Sequence, residues 1–125
     1  MSNDIPAGTR VGEKKREGRD RFQAFSIPCE TPEATSLLVK DLIRACHLRK
    51  ATHISWALRL KNGDSLREVK DDGGESGSGN CILETLRMKN RTGLLVIVAR
   101  WYGGKHLGGL RFRIYRRLSA EILEG

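Results

Sequence analysis

Residues 93–101, GLLVIVARW, constrain this chain more than any other stretch. Apolar residues run through it almost without a break, the pattern of a central strand covered on both sides or set deep in a core. Whatever else the chain builds, it must bring apolar cover to this segment. Immediately beyond lie two Gly-Gly pairs in RWYGGKHLGGLRF, residues 100–112, and then a strongly basic segment. A turn uses one or two glycines. Four of them beside Trp101, Tyr102, Lys105 and His106 pose a choice between joinery and a binding loop.

The remaining segments supply the cover. RFQAFSIP, residues 21–28, reads as a first strand ended by proline. Thr31 suits a helix cap, Pro32 the first helical position, and Glu33 the positive end of the helix dipole. Ala34, Leu37, Leu38, Leu42, Ala45 and Cys46 then recur at helical spacing, predicting a helix to about Leu48. HISWALRL, residues 53–60, sets Ile54, Trp56, Leu58 and Leu60 on one face of a strand. Asn62-Gly63 marks a turn into a short edge strand through Leu66 and Val69. Ser78 or Asn80 is expected to cap a second helix through Ile82, Leu83 and Leu86, reaching as far as Met88. Leu110, Ile114, Leu118 and Ile122 form the buried stripe of a last helix, with Tyr115 beside it. This β-α-β-(β)-α-β-α order predicts an α+β (α/β) two-layer sandwich, a mixed sheet with helices packed on one face. Residues 1–19 lack aromatics and periodicity and are expected to be a disordered arm, leaving residues 20–125 as a single domain.

Composition narrows the class. No apolar run approaches the roughly 18–20 residues of a membrane helix, and the polar N-terminus has no secretory h-region. Cys29, Cys46 and Cys81 are widely spaced and form no CxxC, which argues against a disulfide framework or zinc site. A cytoplasmic protein is expected. The charge is unevenly placed: residues 86–125 hold nine Lys/Arg against Glu121 and Glu124, so +7 of the net +8 lies there. Arg113, Arg116 and Arg117 fall at i, i+3 and i+4, one exposed helix face that Arg111 and Lys105 extend toward the glycine loop. Such a face suits an acidic partner: RNA, a ribosome surface or an acidic protein. Aromatics at 6% argue against a base-stacking platform, and no DNA sequence recognition is expected.

DDGGESGSGN, residues 71–80, is the other candidate. Glycines ahead of a helix N-terminus can cradle phosphate. Asp71, Asp72 and Glu75 oppose a bound anion, however, unless a Mg²⁺ ion bridges them. The loop is neither a Walker motif nor an EF-hand, so metal binding is open and the simplest role is structural. His53 and His106 are the candidates for a second catalytic group, but no nucleophile–base pair stands out. The expected contact residues are Asp71, Asp72, Gly73, Glu75, Arg100, Tyr102, Gly103, Gly104, Lys105 and Gly108, beside the Arg111, Arg113, Arg116 and Arg117 row.

Taken in order, ATHISWALRL, EVKDDGGESGSGNCIL and LLVIVARWYGGKHLGGLRF resemble the Impact/YigZ family over about Phe22 to Leu123. That family carries a histidine-led strand, an acidic DDGE-type loop and an R-[WY]-Y-G-G-x-x-L-G signature. The signature falls on Arg100, Tyr102, Gly103, Gly104, Leu107 and Gly108, and the family's histidine on His53. Trp101 and Arg111-Phe112 are more similar to the eukaryotic Impact branch. The resemblance implies a fold like ribosomal protein S5 domain 2, shared by translation-related domains and small-molecule kinases. A non-enzymatic, translation-related role with a protein or RNA/ribosome partner is therefore expected. The alternative is a Mg²⁺-dependent nucleotide- or phosphate-binding protein or small enzyme that uses the DDGGESGSG loop. Two departures stand out. DDGGE carries an extra glycine before Glu75. The RWD domain of full Impact proteins, which binds an activator of the amino-acid-starvation kinase, has no counterpart in these 125 residues.

Overall fold

The computed structural model describes residues 4–124. Among these described residues are six strands: β1 (Arg10–Val11), β2 (Lys15–Glu17), β3 (Asp20–Pro28), β4 (His53–Asn62), β5 (Ser65–Asp71) and β6 (Leu94–Trp101). Three α-helices join them: α1 (Thr35–Ala45), entered through a 3-10 turn at Pro32–Ala34, α2 (Ser78–Met88) and α3 (Leu110–Ile122). The strands form one sheet in the order β1-β3-β6-β4-β5, with β2 also on β3. β6 therefore lies at the centre, where its composition requires it to be.

Strand alternation divides the core in two. Phe22, Ala24, Ala57, Val96 and Val98 point to the face covered by α2 and α3, where Ile82, Leu86, Ile114 and Leu118 meet them. Phe25, Ile27, Leu58, Leu95 and Ile97 point the other way, against Leu42, Leu38, Val39 and Ile43 of α1. Phe22, Phe25, Ile97 and Leu58 are fully buried, each worth roughly 1.5–3 kcal/mol relative to exposure.

The α+β sandwich is as expected, with corrections of arrangement. Every strand pairing among the described residues is antiparallel, so the sheet is not mixed. The helices lie on both faces rather than one, because a strand apolar on both sides needs cover on both. Leu37, expected in the buried stripe of α1, is 61% exposed, the helix being turned so that Leu38 and Leu42 pack instead. Thr31 makes no side-chain cap, and the Thr35 hydroxyl donates to the Pro32 carbonyl at 2.8 Å.

Part of the expected N-terminal arm is ordered into the sheet. Arg10 and Val11 pair with Ser26 and Phe25, and Lys15–Glu17 with Phe22–Asp20. These pairings cover what would be an open edge of β3. The same expectation for residues 1–3 lies outside the described residues. All three cysteines are free thiols, and burial pushes their pKa values up.

Candidate functional site

Arg100, near the end of β6, is the hub of the site. Only 3% exposed, it sits beside Asp20 at the start of β3 and Glu75 in the glycine loop, both also buried. Its Nε and Nη2 donate to Asp20 Oδ2 at 3.0 and 2.6 Å, and its Nη1 donates to Glu75 Oε2. The second oxygen of Asp20 accepts the Gly103 amide at 2.6 Å, and the second oxygen of Glu75 accepts the Tyr115 hydroxyl. Burial alone disfavours the charged guanidinium. The bonds to Asp20 and the charges of Glu75 and Asp20 outweigh it and hold Arg100 above the ordinary arginine pKa. For Tyr115, burial first and then Glu75 push the phenol well above its usual range, so it remains a donor.

The glycine loop is shaped by its own acids. Asp72 accepts from the amides of Gly77 at 3.2 Å and Gly79 at 2.8 Å, satisfying the open N–H groups at the start of α2. Asp72, rather than Ser78 or Asn80, thus caps this helix. The Ser78 hydroxyl is buried against Ser55, 2.7 Å away, and the Glu75 carbonyl, also 2.7 Å. Asp71 Oδ1 accepts the Gly73 amide at 2.7 Å. A Cβ on Gly73 would lie 2.1 Å from the Ile54 carbonyl oxygen, and both Gly73 (φ 57°) and Gly74 (φ 85°) are left-handed. Two consecutive left-handed residues account for the doubled glycine of DDGGE. With it, Glu75 still reaches Arg100.

Above the network opens a cleft of about 470 Å³. Its lining combines His53, Glu75, Arg100, Tyr102, His106 and Arg111 with Thr52, Ser76, Leu107 and the glycine backbone. His53 Nδ1 lies 3.0 Å from the Gly73 carbonyl. A carbonyl only accepts, so in this contact Nδ1 is the donor, and Nε2 is the ring nitrogen left for the cleft. Tyr102 and His106 hold their ring centres 5.7 Å apart. Arg111 lies 3.4 Å from Glu75 through its Nε, donates to the Gly108 carbonyl and stacks on Phe112.

The three motifs thus converge, but not every expected residue joins them. Glu75, Arg100, Tyr102 and Gly108 line the cleft. Gly73 and Gly103 support it from behind, Gly103 so closely packed that a Cβ would meet the Arg19 backbone at 2.4 Å. Gly104 and Lys105 are exposed outside the lining. Arg111 turns toward the cleft, whereas Arg113, Arg116 and Arg117 face solvent on the opposite side of α3. The expected continuous row of four arginines is therefore split by the helical rotation between positions 111 and 113. Among the described residues no cluster of three or more His, Cys, Asp or Glu could hold a metal ion. Asp20 was not expected here. Nothing in its local sequence signals a partner 80 positions away. Tyr115 carried a signal, since a tyrosine beside a buried stripe needs a partner for its hydroxyl.

Fold and site together define an Impact-type domain: an antiparallel sheet whose central strand ends in RWYGG and is locked by ion pair to an acidic glycine loop. The chain belongs to the Impact family, matching the Impact N-terminal domain over residues 18–123. It is 34% identical over 130 positions to the Protein IMPACT homolog of Saccharomyces cerevisiae, covering 98% of this chain and 50% of that protein. With Protein IMPACT of Oryctolagus cuniculus it shares 33% identity over 107 residues, 84% of this chain and 34% of the relative. The chain therefore spans a third to a half of the length of these relatives. Among solved structures, it is similar to the two-domain translational regulator Yih1, with TM-score 0.64, 27% identity and coverage of 98% and 50%. A crystal structure of a hypothetical protein shares the fold at TM-score 0.80 and 24% identity, covering 95% of this chain and 58% of that one.

Proposed function

We propose that this Impact-type domain is a non-enzymatic, cytosolic binding module in translation regulation, and that it meets RNA or the ribosome through the outer face of α3. The observation that carries this reading is the exposed set Arg113, Arg116 and Arg117, in which Arg116 alone has an ion pair among the described residues, at 3.3 Å to Glu84. Guanidiniums without internal partners remain available to phosphate. Similarity to a translational regulator supports the biological setting. An acidic face of a translation-related protein is the other occupant compatible with this charge.

The Mg²⁺-dependent alternative draws no support from the loop. Asp72 caps α2, Glu75 neutralises Arg100, and Asp71 binds the Gly73 amide, so the three carboxylates serve separate structural ends. The test is binding of ribosomes and single-stranded RNA across a salt series, with R113E/R116E/R117E beside the wild type. Loss of binding in the triple variant supports the arginine face. Equal binding by both proteins, or none by either, rejects the RNA reading.

A further inference from the structure

β5 is an edge strand, paired only with β4. Asn62 and Ser65 flank a two-residue turn, Gly63-Asp64, and so form a hydrogen-bonded pair. Ser65, Arg67, Val69 and Asp71 consequently direct their backbone groups to β4. The N–H and C=O groups of Leu66, Glu68 and Lys70 point to the open side. The Cys29 amide bond to the Gly93 carbonyl, followed through the registers of β3, β6 and β4, leads to the same alternation. Seven residues of open edge are a ready template for another strand.

We infer that the strand it fits is a second copy of itself, paired antiparallel about a two-fold axis through Val69. Charge order decides this. The sequence Arg67-Glu68-Val69-Lys70-Asp71 reads as its own electrostatic complement when reversed. Centred on Val69, Arg67 stands opposite Asp71 and Glu68 opposite Lys70, each pair occurring twice by symmetry. Outward backbone groups on the even-numbered residues permit any register centred on a residue, and the neighbouring ones fail. A centre at Glu68 opposes Glu68 to itself, one at Lys70 opposes two lysines, and one at Arg67 opposes two arginines. Charges on an edge ordinarily deter pairing because like meets like. Here their order favours one partner strand.

The surroundings prepare this contact. Glu68 is already oriented by Arg87, at 2.6 and 2.8 Å, and by Arg59 at 3.4 Å, on the α2 face of the sheet. Arg67, Val69 and Asp71 share the opposite face, so the two half-buried valines meet between the Arg67–Asp71 pairs. The dimer extends two sheets into one and displays two α3 arginine faces and two clefts, which raises avidity for an extended partner.

The test uses sedimentation of the full chain from about 10 µM to about 1 mM. Wild type is expected to show a concentration-dependent dimer. R67D sets two carboxylates against each other in both symmetry-related pairs, and D71R sets two guanidiniums against each other. Each variant alone is expected to dimerise at least about tenfold more weakly. Mixed one to one, they restore two opposite-charge pairs and with them the dimer. Because Asp71 also binds the Gly73 amide, hydrogen exchange on wild type supplies an independent reading. The Glu68 and Lys70 amides gain protection with concentration while those of Arg67 and Val69 do not. A wild type that stays monomeric, a mixture no stronger than its components, or protection independent of concentration overturns the proposal.

Discussion

The guanidinium of Arg100 and the carboxylate of Asp20 meet at 2.6 Å in the core, joining the end of the central strand to the start of its neighbour. Glu75 completes a charge set in which every member is buried. Arg100→Ala leaves buried Asp20 without its counter-ion and Glu75 with Arg111 alone, and denaturant unfolding should show a loss of about 3–5 kcal/mol. Arg100→Lys should recover only part of this, because an ammonium cannot reproduce the fork that serves both acids.

Tyr115 should make the fold sensitive to alkali. Its pKa is raised in the folded state above the ordinary value of 10, so its contribution is complete below pH 10 and is lost as the pH rises beyond it. In a Tyr102→Phe background, phenolate absorbance should therefore appear together with unfolding and not before it. Tyr115→Phe should cost about 1–3 kcal/mol at neutral pH by leaving Glu75 short of a donor.

Two glycines of the RWYGGKHLGGLRF stretch should respond in opposite ways to alanine. At Gly103 the new Cβ meets the Arg19 backbone at 2.4 Å beside the amide that serves Asp20. Thermal unfolding should report a loss of about 1–3 kcal/mol. At Gly109 the Cβ enters open space at φ −68°, and stability should be unchanged or slightly higher.

Asp72 offers a direct discrimination between capping and metal binding. Asp72→Ala should lower stability by about 0.5–2 kcal/mol, the worth of a helix cap. The loss should be the same in Mg²⁺ and in EDTA. A wild-type melting temperature that rises with Mg²⁺, and a variant that ignores it, would return the loop to the metal-assisted reading.

The α3 arginines should leave their mark on salt dependence more than on affinity at any one salt. If all three contact phosphates of single-stranded RNA, the log–log slope of binding against salt should fall by about 2 in R113E/R116E/R117E. Arg111→Ala should leave that slope in place, since Arg111 faces the cleft.

Much of this was legible in the chain. The apolar run of β6 announced its central place, and the helix and strand periods located every main element. Signals that depend on one element's neighbours were not legible. α1 crosses to the far face because β6 is apolar on both sides, a choice that helix periodicity alone does not encode. The strands at Arg10–Val11 and Lys15–Glu17 carry no apolar pattern because β3 supplies their hydrogen bonds. In the site, Glu75, Arg100 and Tyr102 were visible through their motifs. Asp20 was invisible because its partner, although on the neighbouring strand, lies eighty positions away in the chain. Arg111 parted from its neighbours because two residues along a helix turn through more than half a circle.

The place of β6 also orders the making of the molecule. It separates β3 from β4 in the sheet, yet it is the last strand in the chain. A growing polypeptide can form the β4–β5 hairpin early, but β3 and β4 share no neighbour until residues 94–101 exist. Asp20 waits through eighty residues of synthesis for Arg100. The joined sheet and the Arg100 ion pairs with Asp20 and Glu75 therefore cannot be complete until β6 is in place, which makes them contacts of long sequence separation.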